Sequence, residues 1–155
     1  MAGVMTTRPV AKAGLVLGIG LGGFVDGILL HQVFQIHAML SAKLPLTSMA
    51  NMQVNMTADG LFHAALWLTT LTGVMLLFNA AKRRDVRWSR RTLYGAMLAG
   101  WGLFNVVEGI VNHHLLGLHH VVERLGPSVW DWVFLAVSAA MMIGGWATAR
   151  AIGKA

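Results

Sequence analysis

The stretch Gly100 to His120, GWGLFNVVEGIVNHHLLGLHH, places a carboxylate, Glu108, and four histidines, His113, His114, His119 and His120, in an apolar helix and its exit. An ionisable side chain near the centre of a membrane helix costs roughly 2.5 to 3.5 kcal/mol, so Glu108 calls for a partner or a function. Partners are present in the other apolar segments: Asp26, His31 and His37 in the first, Asp59 and His63 at the start of the second, and Asp131 at the start of the fourth. Imidazoles and carboxylates without sulfur suit zinc, iron, manganese or Cu²⁺, and a helical bundle can build such a site from facing helices. The candidate ligands are His31, His63, Glu108, Asp26, Asp59, His113, His114, His119, His120 and Asp131. In an enzyme, Asp26 or Glu108 would serve as general base beside a metal that activates water or oxygen. Two other readings compete: a haem held by two of His31, His63 and His113, and histidine–carboxylate pairs acting as buried hydrogen-bond glue or a proton path.

The elements that must position these residues are four apolar windows, Ala13–His37, Leu61–Ala81, Leu93–Leu116 and Val129–Ile152. Each is long enough to cross a hydrocarbon core roughly 30 Å thick. With 155 residues, 56% hydrophobic and 12% charged content, and a mean hydropathy of +0.63, the chain reads as one all-α integral membrane four-helix bundle. The absence of cysteine removes disulfides, thiolate ligands, iron–sulfur clusters and haem attached through thioethers.

Net charge is +6, and its placement points to topology rather than nucleic acid. Arg8 and Lys12 precede the first window, six basic residues fill Lys82–Arg91, and Arg150 and Lys154 close the fourth; only Lys43 and Arg124 fall on the other side. The positive-inside rule therefore puts both termini in the cytoplasm. The N-terminal run reads as an uncleaved anchor, because it continues at spanning length without a small-residue cleavage site.

Along the first window Gly14, Gly18 and Gly22 recur every fourth residue, as do Gly23 and Gly27, which predicts close helix approach. Regular α-helical winding puts Asp26 and His37 on one face and His31 about 140° away, so His31 must act between helices. A polar external loop is expected over Ser41–Ala58, with Met39, Met49, Met52 and Met56 in or beside it as soft Cu(I) ligands or as packing residues. Asp59 and His63, four residues apart, suit chelation, and Asp59 alone suits a helix N-cap. In the third window, Trp101, Asn105, Glu108 and Asn112 form an inward stripe from which His113 and His114 turn away; Gly117 offers a helix end. Counting about 1.5 Å per residue, the ionisable residues fall in one outer slab, away from the cytoplasmic ends. The expected centre is His31, His63 and Glu108, with one of His113 and His114 and one of His119 and His120 contributing.

The runs Gly23-Phe24-Val25-Asp26-Gly27 through His31-Gln32, Asp59-Gly60-Leu61-Phe62-His63-Ala64, Gly100-Trp101-Gly102-Leu103-Phe104-Asn105 with Glu108-Gly109, and His113 through His120 closely resemble the bacterial membrane proteins filed as domain of unknown function family 2243. The resemblance covers nearly the whole chain and implies a four-span bacterial membrane protein. It also implies a second histidine at the position of Ala38 and an aspartate at that of Asn112, from which this sequence departs. Expected partners are the lipid bilayer and either a membrane oxidase-assembly protein or a second copy of the chain, with no nucleic acid.

Overall fold

The computed structural model of the chain describes residues 5–151, so the expected end of the fourth window at Ile152, the charge of Lys154 and the first residues of the N-terminal anchor lie outside it. Four long helices follow one another. Helix α1 (Arg8–Val25) runs directly into a π-helical segment, Asp26–Val33; α2 is Met49–Ala81. Helix α3 (Arg90–Glu108) runs into a second π-helical segment, Gly109–Leu115, and α4 is Val129–Arg150. Among the described residues there is no β-strand, and all four helices are long and apolar enough to cross a membrane.

The starts of the helices follow from local chemistry. Pro9 sits in the first turn of α1, where a missing N–H costs nothing. Ser48 and Ser89 accept hydrogen bonds from the backbone N–H groups of Asn51 and Thr92, each at 3.2 Å, and so cap α2 and α3. Ser128 and Asp131 form a capping box on α4.

Two expectations change here. The span of α2 begins at Met49 rather than Leu61, because the Ser48 cap opens a stretch free of proline, with Gly60 as its first glycine; the expected loop over Ser41–Ala58 is therefore helical from Met49 onward. Asp59 lies well inside α2 and caps nothing.

Helices α1 and α3 form the central pair, with α2 packed on α1 and α4 on α3. Glycine makes the central contact possible: a Cβ on Gly18 would meet the backbone of Met97, and one on Gly100 would meet the backbone of Leu15. These contacts reveal a pseudo-two-fold arrangement, since Leu15 and Gly18 become Met97 and Gly100 when 82 is added to their numbers. The same shift carries Arg8, the start of α1, to Arg90, the start of α3, and carries Asp26, His31 and His37 to Glu108, His113 and His119. The flanking helices correspond with a shift of 72: Asp59 to Asp131, and Gly73, against Leu17, to Gly145, against Ala99. Each repeat is thus a helix, a π-helical exit, a loop and a returning helix, with the repeat axis along the bundle.

The N-terminal segment and the α2–α3 link lie at the same end, where Thr6 and Val86 pair through their backbones. The basic residues of Lys82–Arg91 gather there. The histidines and buried carboxylates occupy the other end.

Candidate metal centre

Each π-helical segment performs a specific task. Its hydrogen bonds span five residues instead of four, so residues five apart come onto one face. Asp26 and His31 are five apart, as are Glu108 and His113, and both pairs meet: His31 Nε2 lies 3.2 Å from Asp26 Oδ2 and His113 Nε2 lies 3.0 Å from Glu108 Oε1. The expectations that His31 lies away from Asp26 and that His113 turns from the Glu108 stripe fail for this one reason, since both assumed regular α-helical winding.

Beyond each π-helical segment the chain turns through a left-handed residue, Gln35 (φ 49°) in the first repeat and Gly117 (φ 55°) in the second. That turn folds His37 and His119 back over the bundle, where their rings stack at 4.6 Å with an interplanar angle of 8°. His31 packs edge-on against His37, and His113 against His119. Four imidazoles therefore share one buried cluster, each no more than 4% exposed.

Their hydrogen bonds fix their tautomers. His37 Nδ1 donates to the Val121 carbonyl (3.2 Å) and His119 Nδ1 donates to the Met39 carbonyl (3.0 Å), a reciprocal exchange between repeats. A carbonyl only accepts, so Nδ1 carries a proton in both rings, and Nε2 is bare in the neutral form of each. His31 Nδ1 meets Asp59 Oδ1 at 2.8 Å, and His113 Nδ1 faces Asp131 Oδ1 at 3.2 Å. Asp59 also accepts the Met39 N–H at 3.0 Å, and Asp131 accepts the Val121 N–H at 3.0 Å. The outer nitrogen of every ring is thus occupied or aimed at an acceptor, and the inner nitrogen points to a carboxylate. His119 Nε2 approaches Glu108 Oε1 at 2.7 Å, and His37 Nε2 lies 3.9 Å from Asp26 Oδ1. In the neutral rings these contacts set lone pair against lone pair, which either a proton on Nε2 or a shared cation relieves.

Of the nine buried side-chain atoms without a hydrogen-bond partner among the described residues, four lie at the centre of this cluster: Nε2 of His31, His37 and His113, and Oε2 of Glu108; the others are His63 Nε2, Thr70 Oγ1, Asn105 Oδ1, His113 Nδ1 and His120 Nδ1. Polar atoms left unpaired in a buried site are costly and call for an explanation. Burial, with His119 and His31 beside it, pushes the His37 imidazole down to about 4, so the ring is neutral near pH 7. Two trios, His31–His37–His119 and Glu108–His113–His119, bring their donor atoms within 4.8 Å of one another.

Residues 13–152 match the family described as "Predicted membrane protein (DUF2243)". The chain belongs to the DUF2243 family. No curated protein and no solved structure matches it.

The remaining candidates of this DUF2243 chain stand outside the cluster. His63 is half-buried on α2, with Nε2 against Gly27 and its ring between Phe24 and Phe62. Its expected partner Asp59 is engaged by His31, Gln32 and Met39 instead. The ring of His114 is exposed and packs on Trp132 at 4.5 Å. His120 is buried at the rim, its Nδ1 3.6 Å from Asp131 Oδ1. Among the methionines, Met49, Met52 and Met56 are exposed on α2, and Met39 serves the cluster through its backbone. His37 is the cluster member that the sequence reading left out of the ligand set. The signal that would have included it is the repeat itself, since Asp26–His31–His37 and Glu108–His113–His119 share one spacing.

Proposed function

We propose that this protein is an inner-membrane four-helix bundle that holds transition metal between His31, His37, His113 and His119, with Asp26 and Glu108, near the periplasmic face. The observation that carries this reading is the orientation of the four rings: outer nitrogens toward second-layer acceptors, inner nitrogens convergent on carboxylate oxygens, with those of His31, His37 and His113 lacking a hydrogen-bond partner. Carboxylate or carbonyl behind a ligating imidazole is the usual support of a histidine–metal bond. A cation resolves the lone-pair conflict at Glu108 and Asp26. Zinc, iron and Cu²⁺ accept this donor set.

Ring centroids 4.6 to 6.4 Å apart leave no flat apolar slot for a porphyrin, which favours an ion over haem. A proton relay through the same groups would have to place charge on rings stacked face to face, which disfavours it. Asp26 and Glu108 touch the ring nitrogens and act as ligands or as bases for bound water. Metal-dependent chemistry and metal handling, including delivery to a membrane oxidase, both use such a centre. Orientation with the basic end inside follows from the positive-inside rule.

The test is elemental analysis of protein purified without a histidine tag or added metal. Metal bound by the wild type and greatly reduced in His37→Ala and His119→Ala, with folding intact by circular dichroism, is the expected result. Metal-free wild-type protein that also takes up no zinc, iron or copper on titration overturns the reading.

A further inference from the structure

The proposed metal reading leaves the number of ions open, and the duplication bears directly on it. Resting on that reading, we infer that the centre is binuclear, with one ion held by Asp26, His31 and His37 and an adjacent ion held by Glu108, His113 and His119.

Carboxylate reach is the first support. Asp26 lies within 4.0 Å of His31 and His37 nitrogens, and Glu108 within 4.0 Å of those of His113 and His119; neither comes that close to a histidine of the other repeat. A single octahedral ion with ligand bonds of about 2.1 Å would set each carboxylate oxygen roughly 3 Å from four neighbouring donors, across the repeat boundary. The observed carboxylate–histidine contacts stop at that boundary, and among the donor atoms His119 alone also comes within 4.8 Å of the other repeat's pair, His31 and His37. The ligands are therefore sorted into two sets of three by the chain's own duplication.

Charge is the second support. Four of the six carboxylates in the sequence, Asp26, Asp59, Glu108 and Asp131, surround the four rings and are at most 6% exposed. Two divalent ions match the charge of four carboxylates, and one matches that of two. The reciprocal support is also doubled, since each repeat supplies a carbonyl to the other's distal histidine and a backbone N–H to its own returning aspartate. Three protein ligands on each ion leave coordination positions open between them, the arrangement of a two-metal site. His119 stands at the junction, its donor atom near both sets.

The experiment is zinc titration of the full chain in detergent, read as ions bound per folded protein, together with electron paramagnetic resonance of the Mn²⁺-loaded wild type. Two zinc ions per chain are expected in the wild type and one in each of the double variants His31→Ala/Asp26→Asn and His113→Ala/Glu108→Gln. The Mn²⁺ protein should give a multiline spectrum of coupled ions, a readout that needs no variant. One zinc per chain with an isolated-ion Mn²⁺ spectrum overturns the binuclear assignment and leaves the metal reading standing. No uptake of either ion by the wild type overturns both.

Discussion

At the scale of single residues, neighbouring histidines separate into different roles because the backbone aims them differently. His119 is fully buried with one nitrogen on Met39 and the other on Glu108, whereas His114, the neighbour of buried His113, is exposed and rests on Trp132. His119→Ala should therefore remove most of the bound metal, and His114→Ala should leave it unchanged, as measured by elemental analysis of matched preparations. Equal loss in both would remove the basis for choosing between them. Asp59 and Asp131 touch rings without reaching the inner nitrogens. Loss of such a supporting carboxylate typically weakens metal binding about 10- to 100-fold. Asp59→Asn should show that reduction in competition with a chelator of known affinity, while keeping the number of ions per chain; full affinity in this variant would remove Asp59 from the support of His31.

At the scale of elements, the site depends on two π-helical segments and two tight turns. Gly117 adopts a positive φ with only Lys43 Nζ near a prospective Cβ, so strain rather than collision penalises a side chain there. Gly117→Ala should cost about 1 kcal/mol, the usual penalty of a left-handed non-glycine residue, seen as a lowered melting temperature in detergent. Gln35 already bears that penalty at the equivalent turn. The central helix contact behaves differently. A Cβ on Gly18 would fall on the Met97 backbone, which cannot rotate aside, whereas one on Gly144 meets nothing within 4 Å. Gly18→Ala should destabilise by roughly 1–3 kcal/mol as an overpacked contact, and Gly144→Ala should be neutral or stabilising by up to about 1 kcal/mol. Thermal melts of both variants check the pair; equal stability would show that α1 and α3 are not in close contact.

At the scale of the whole molecule, one end is basic and the other holds the buried acids and histidines. A reporter fused at Arg87 should be active only as a cytoplasmic marker, because the link it interrupts carries the retained positive charge. Periplasmic activity at that position would reverse the orientation and move the proposed metal site to the cytoplasmic side.

The apolar windows determined by themselves that this chain is an all-helical membrane bundle, because backbone groups in hydrocarbon must be satisfied within each segment and length alone then counts the spans. Glycine spacing likewise marked where helices approach. Composition also restricted a metal site to nitrogen and oxygen ligands from histidine and acid, with thioether left as the soft alternative. Which histidines meet was not legible from regular periodicity, since a change from four- to five-residue winding rotates His31 and His113 onto the faces of Asp26 and Glu108. The return of His37 and His119 depends on loop turns and on hydrogen bonds to Val121 and Met39, distant in the chain. Only the packed tertiary structure decided these contacts, because each repeat completes the hydrogen bonding of the other.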